Sequence, residues 1–213
     1  MTLREVTKLA QQGEGLHIEF KKKVSNPEKI VREVIALANT DGGYLMIGVD
    51  DDKTVSGHRY IDEEVYVLDK AIKDLIRPMV QYEQWIIPIN EKKGVAVYHF
   101  EKSPKRPHYL YEEGRKKSFV RADDRTIQAS REVWQILRRQ KKPKDIIFNY
   151  GEKETKLMQA LGDKSSITLK EYSKIAKLPR FIASKTLIRL VLANVLEVVP
   201  QEKEDVYMLK NLP

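Results

Sequence analysis

Cysteine is absent from the 213 residues, which excludes disulfides, thiolate nucleophiles and Cys-ligated zinc. No apolar run approaches the roughly 18 residues that a membrane-crossing helix requires. The opening MTLREVTKLAQQGEGLHIEF lacks the apolar stretch of a secretory signal, so the expectation is a cytoplasmic protein without a membrane partner. A GxxxxGK[ST] phosphate loop is also missing. His17, His99 and His108 have no metal-like spacing and are expected as surface or sheet residues. The chain is 33% charged and 41% hydrophobic, which excludes a disordered chain and suits one large domain or two modest ones.

Positive charge is abundant but unevenly placed. Residues 1–100 hold 14 Lys or Arg against 16 Asp or Glu, whereas residues 101–144 hold 14 against 6 and so carry a net +8. Further on, Lys164, Lys170, Lys174, Lys177, Arg180, Lys185 and Arg189 meet a single acid, Glu171. Solvated helix faces account for any one of these lysines. Their clustering suits a polyanion, because neutralised phosphates release condensed counterions.

Periodicity divides the chain. Thr2 and Glu5 have capping-box spacing before a helix to Gln11, and Leu16, Ile18 and Phe20 alternate with polar residues as a half-buried strand. A helix from Pro27 to Asn39 leads through Asp41, Gly42 and Gly43 into the apolar strand YLMIGV. A helix over 62–77 and a hairpin over 80–101 follow, then a basic loop over 103–117, a short strand over 118–121 and a helix over 130–140. KKPKD reads as a linker. The last 63 residues predict three helices, over 152–161, 168–176 and 179–193, and a two-stranded hairpin over 195–210, the elements of a winged helix-turn-helix. Domains are therefore expected at 1–140 and 151–213, joined by 141–150. The third helix would bury Ala183, Leu187, Leu190 and Val191 and present Arg180, Phe181, Ser184, Lys185 and Arg189 to DNA. Lys170 and Lys174 would add phosphate contacts, as would Lys105, Arg106, Arg115, Lys116, Lys117 and Arg121 from the basic stretch.

The segment from Glu14 to Gly57 resembles the Schlafen AlbA-type, or divergent AAA, domain family. Its motifs run in the family's order: Glu19-Phe20-Lys21, Ala38-Asn39-Thr40, Gly42-Gly43, Ile47-Gly48-Val49-Asp50-Asp51 and Val55 to Gly57. Phe119-Val120-Arg121 and the residues to Leu137 match a later element, with Ala122, Asp123 and Asp124 standing where relatives have a Gly-Ser-Ser-type turn. The resemblance implies a mixed-sheet α/β domain. Prokaryotic members with a C-terminal winged helix are described as transcriptional regulators or DNA-binding proteins. From the residues alone, Gly42, Gly43, Asn39 and Thr40 read as architectural, the glycines turning the chain and the polar pair capping a helix.

The resemblance also implies an alternative. Some eukaryotic relatives are metal-dependent ribonucleases that use two Glu and one Asp, positions that fall here on Glu14, Glu19 and Asp51. Clustered carboxylates of that kind bind Mg²⁺ or Mn²⁺ and activate water. Against this, Glu19 would pair with a neighbouring Lys and Asp50 to Asp52 would be turn residues. The favoured expectation is a DNA-binding regulator that needs no cofactor, with RNA a possible substitute for DNA. A homodimer follows from half-site geometry. The competing expectation is a divalent-metal nuclease.

Overall fold

The computed structural model describes residues 1–140 and 150–210, which fall into two compact units, Met1–Gln128 and the residues from Ala129 onward. Almost all of the expected 141–150 linker lies outside the described residues.

The first unit is built on a mixed four-stranded sheet. Helix α1 (Leu3–Gln12) starts at the predicted capping box, where Thr2 N donates to Glu5 Oε2 at 2.6 Å. Strand β1 (Ile18–Lys21) pairs in parallel with β2 (Gly42–Ile47) across the crossover helix α2 (Pro27–Asn39). After α3 (Ile61–Leu75), the hairpin of β3 (Glu83–Asn90) and β4 (Lys93–Glu101) adds antiparallel to β2, giving the order β1-β2-β4-β3. Strand alternation sorts side chains between two cores. Leu45, Ile47, Ala96, Tyr98 and Phe100 meet α2 and α3, while Phe20, Met46, Val95 and Val97 meet Val6 and Ala10 of α1. Each large apolar chain buried this way contributes roughly 1.5–3 kcal/mol against the entropy of ordering the chain. Glu19, between Ile18 and Phe20, must therefore point to the α2 side.

Gly42 and Gly43 take φ of 77° and 148°, and a Cβ would lie 2.4 Å from the Phe100 carbonyl oxygen or 2.3 Å from that of His17. The pair lets β2 slot between its neighbours, as the architectural reading anticipates. Asn39 does not cap α2. Its amide donates to the His108 and Phe119 carbonyls and to Ser118 Oγ, while its Oδ1 accepts from His108 N at 2.7 Å. The end of α2 is thus fastened to the segment after the sheet. His108, expected as a surface or sheet residue, is fully buried outside the strands, with Nδ1 2.7 Å from the Pro78 carbonyl and Nε2 2.7 Å from Ser103 Oγ.

The stretch 103–117, expected as a loop, contains the hairpin β5 (Leu110–Glu112) and β6 (Arg115–Lys117). Its two-residue turn puts Glu113 and Gly114 at positive φ, 52° and 71°, the sign required by the turn that joins short strands tightly. A second hairpin, β7 (Phe119–Ala122) with β8 (Arg125–Gln128), ends the unit.

Helix α4 (Arg131–Gln140) corrects the expected boundary, because it belongs to the second unit rather than closing the first. Ser130 caps it, accepting from Val133 N at 3.1 Å and donating to Asp205. The unit continues with α5 (Glu152–Asp163), β9 (Ile167–Thr168), α6 (Leu169–Ile175), α7 (Arg180–Leu192), β10 (Leu196–Val199) and β11 (Val206–Leu209). The three helices and the hairpin fall where expected, and β9 extends the hairpin into an antiparallel sheet of order β10-β11-β9. Leu157, Tyr172, Leu187, Leu190, Leu196 and Tyr207 form its core.

Candidate nucleic-acid interface and the buried carboxylates

In the first unit a guanidinium gathers two of the acids. The Arg121 side chain is fully buried; its Nη1 lies 2.7 Å from Glu19 Oε2 and 3.1 Å from Glu33 Oε2. Nη2 donates to the Gly15 carbonyl, and the backbone N of Arg121 donates to Thr40 Oγ1 at 2.9 Å. Thr126 donates its hydroxyl to Glu33, and Lys21 pairs with the other oxygen of Glu19. The arrangement follows from local structure: β1 aims Glu19 at α2, α2 contributes Glu33 one turn in from its buried stripe, and β7 delivers Arg121 between them. Glu33 has its pKa raised, first by burial and second by the negative charge of Glu19. Arg121 is therefore removed from the set of expected DNA contacts, since a buried and doubly paired guanidinium cannot reach a phosphate.

The expected metal centre does not assemble from these residues. Glu14 Oε1 accepts from Phe20 N at 2.8 Å, Glu19 is spent on Arg121 and Lys21, and Asp51 is exposed in a turn. Its neighbours are also engaged, Asp50 with Lys22 at 3.1 Å and Asp52 as acceptor from Thr54 N at 2.9 Å. Among the described residues no group of three or more His, Asp or Glu side chains is arranged to hold a metal ion. Glu33 and Thr126 were missed by the sequence reading, although an arginine inside the apolar run FVRA signals a buried acid to receive it.

The basic stretch is only partly available. Lys105 and Arg115 are exposed, whereas Lys117 pairs with Glu112 at 3.0 Å and Glu113 at 3.8 Å. Arg106 is half-buried near the Thr40 carbonyl, and its pKa is lowered by that burial. Lys116 is exposed and lies over the ring of Tyr109.

In the second unit the cations stand out into solvent. Arg180, Phe181, Lys185 and Arg189 are exposed on α7, which carries no acid, and Lys170 and Lys174 are exposed on α6. Lys185 Nζ sits 5.8 Å from the centre of the Phe181 ring. Ser184 differs from expectation: half-buried, its hydroxyl donates to Glu132 of α4 at 2.6 Å, so it is not free for a base edge. Helix α4 lies against α7, and the two walls of the groove between them bring Arg131 and Arg139 beside Arg180 and Lys185, with Glu132 as the opposing charge. Burial of Ile188 as well as Leu187 shows that α7 is covered on two sides, leaving its N-terminal end and one strip open. No helix among the described residues is long and apolar enough to cross a membrane.

Comparison with known proteins gives a family and two distant likenesses. The N-terminal domain of a RecG-related protein from Nitrosomonas europaea aligns over 55% of this chain and 86% of its own length, with 22% identity and a TM-score of 0.44. The DIP2311 protein of Corynebacterium diphtheriae aligns over 88% of this chain with 16% identity and a TM-score of 0.48; the alignment spans 35% of that protein. No curated protein matches. The Schlafen, AlbA_2 family model matches residues 14–130, which spans the mixed sheet, the Gly42-Gly43 entry to β2 and the Arg121 cluster and stops where α4 begins. On that match over more than half its length, the chain belongs to the Schlafen AlbA_2 family.

Proposed function

We propose that this protein binds nucleic acid, with its second unit acting as a winged helix-turn-helix on duplex DNA in the manner of a transcriptional regulator. The element order α5-β9-α6-α7-β10-β11 supports the winged-helix reading, with α7 as the reading helix. The observation that carries the proposal is the exposed cationic strip of α7, Arg180, Lys185 and Arg189, on a helix free of acids. Helix-turn-helix proteins contact bases chiefly through the N-terminal residues of the reading helix, and at that end of α7 Arg180, Phe181 and Lys185 are exposed. Duplex DNA is favoured over duplex RNA because an α-helix fits the major groove of B-form DNA, whereas the A-form major groove is too narrow for side chains to read. Binding of this kind needs no cofactor.

A salt titration of binding to labelled genomic duplex fragments tests it. Arg180→Ala combined with Lys185→Ala is expected to weaken binding across all fragments and to reduce the log–log salt slope by roughly 1 per lost phosphate contact. Unchanged affinity and slope in the double variant would remove α7 from the interface.

A further inference from the structure

We propose that the outward face of α3 is an interface on which a second copy of this chain lays its own α3, antiparallel to the first. The expected homodimer thereby gains a definite face. It lies in the first unit and stands or falls independently of α7.

Helix periodicity defines the face. Ile61, Val65, Leu68 and Ile72 point into the core, so Glu63, the pair Tyr66 and Val67, Lys70 and Asp74, recurring every three or four residues, line the opposite side. All five are exposed. Tyr66 and Val67, midway along the helix, leave 68% and 40% of their surface in water. On the Tyr66 side the face continues into a groove lined by Lys73, Met79 and Tyr82, where Met79 is 61% exposed. The apolar surface is thus a patch beside a groove rather than one stray side chain.

The charges around it are self-complementary in one direction only. Asp62 and Glu63 precede Tyr66, whereas Lys70 and Lys73 follow it. All four are exposed, and among the described residues none joins an ion pair. The acids of α3 that turn elsewhere are engaged, Glu64 with the Val24 amide and with His58 at 3.8 Å, and Asp69 with Tyr82 and Tyr98 at 2.9 and 3.1 Å. A two-fold axis between Tyr66 and Val67 sets Glu63 of each copy level with Lys70 of the other, since both lie equally far from the axis, and brings Asp62 close to the level of Lys73. Tyr66 meets its own copy on one side of the axis and Val67 its own copy on the other. Asp74 arrives beside the exposed Arg59, which leads into the helix. A parallel pairing would set like charges together. The helix dipole favours acids before bases and so accounts for the order of the charges, but it leaves Tyr66 and Val67 in water. One helix pair buries less than the roughly 1,200–2,000 Å² of a stable interface, so a micromolar dimer that weakens with salt is expected.

Sedimentation velocity of the full chain without nucleic acid tests the interface across micromolar concentrations. Tyr66→Glu puts two like charges at the axis and should weaken association roughly tenfold or more. Glu63→Lys should weaken it by facing Lys70, as should Lys70→Glu. The two exchanges combined restore opposite charges and should regain wild-type association, a rescue that damage to the fold would not show. Val67→Cys, a lone cysteine in a chain that has none, should be joined to its own copy by a short bismaleimide, whereas Lys8→Cys on α1, across the sheet, should not. Every position changed on α3 is exposed, so circular dichroism should show unchanged folding. A strict monomer would overturn the interface and leave the face to a different protein. A dimer indifferent to Tyr66→Glu and to the single exchanges would overturn it as well. The two readings separate: a charge-rescued dimer without duplex binding keeps the α3 face and removes α7, whereas duplex binding by a strict monomer does the reverse.

Discussion

At the scale of single residues, Arg121 shows how one guanidinium can gather acids that lie far apart in the chain. Its guanidinium is planar and presents donors in a fixed fork, so it can engage Glu19, Glu33 and a backbone carbonyl together, which a lysine ammonium cannot do in the same geometry. Removing one partner from such a buried set typically costs about 3–5 kcal/mol, because the remaining charges are left unpaired in a poor solvent for them. Burial and the neighbouring Glu19 raise the folded pKa of Glu33 above the ordinary value of 4.5. Between the unfolded and folded values the native state binds more protons than the unfolded chain, so this group's contribution to stability is largest in acid. It diminishes as pH climbs from about 4.5 through the raised pKa, then levels off. Urea melts across that window should show the fall in wild type and a flatter profile in Glu33→Gln; identical profiles would mean that Glu33 titrates normally.

At the scale of elements, α4 departs furthest from what the sequence conveys. The helix itself is legible, with Val133, Ile136 and Leu137 on one face. Its placement is not, because periodicity shows that a face will be buried and not which partner buries it. The same limit explains α7: a helix covered on two sides has no clean polar face, so Ser184 reads as a DNA-facing residue although it meets Glu132 of α4. Hairpin β5–β6 escaped because its turn is Glu-Gly rather than the usual Asn-Gly, whereas α1, α2 and β2 were readable from the Thr2 box, Pro27 and the Gly42-Gly43 pair. Of the candidate site, the α7 cations were legible as surface charge, while the Arg121 cluster joins residues up to 106 positions apart and carries no local signature. Helix α4 also sets the electrostatics of the groove. Glu132 is the acid facing Arg131, Arg139, Arg180 and Lys185. Glu132→Ala should lower stability by about 1 kcal/mol through the lost Ser184 bond, yet tighten duplex binding a few-fold at low salt by unmasking the cations. Weaker duplex binding in a folded Glu132→Ala protein would show that the groove plays no part in holding DNA.

At the scale of the whole molecule, acids and bases are used differently. Many of the carboxylates are committed to partners: Glu5 to the α1 cap, Asp41 to Lys102, Glu64 to the Val24 amide, Asp69 to Tyr82 and Tyr98, Glu171 to Thr168, and Asp205 to Ser130. Among the described residues, exposed lysine and arginine are prominent on α4, α6 and α7, in a chain with an excess of eight positive charges. Such a distribution suits polyanions through counterion release, and among the described residues no group of three or more His, Asp or Glu side chains is arranged to hold a metal ion. The two consequences can be read in one experiment. Nucleic-acid affinity should fall steeply between about 50 and 200 mM monovalent salt. At constant ionic strength it should be the same in EDTA as in Mn²⁺, with labelled duplex and structured RNA recovered uncut and the melting temperature of the free protein unmoved by the metal. A metal-dependent rise in melting temperature, lost in Glu19→Gln, would mean that Arg121 releases its acid when a cation competes for it, and the carboxylate cluster would then have to be read as a metal site after all.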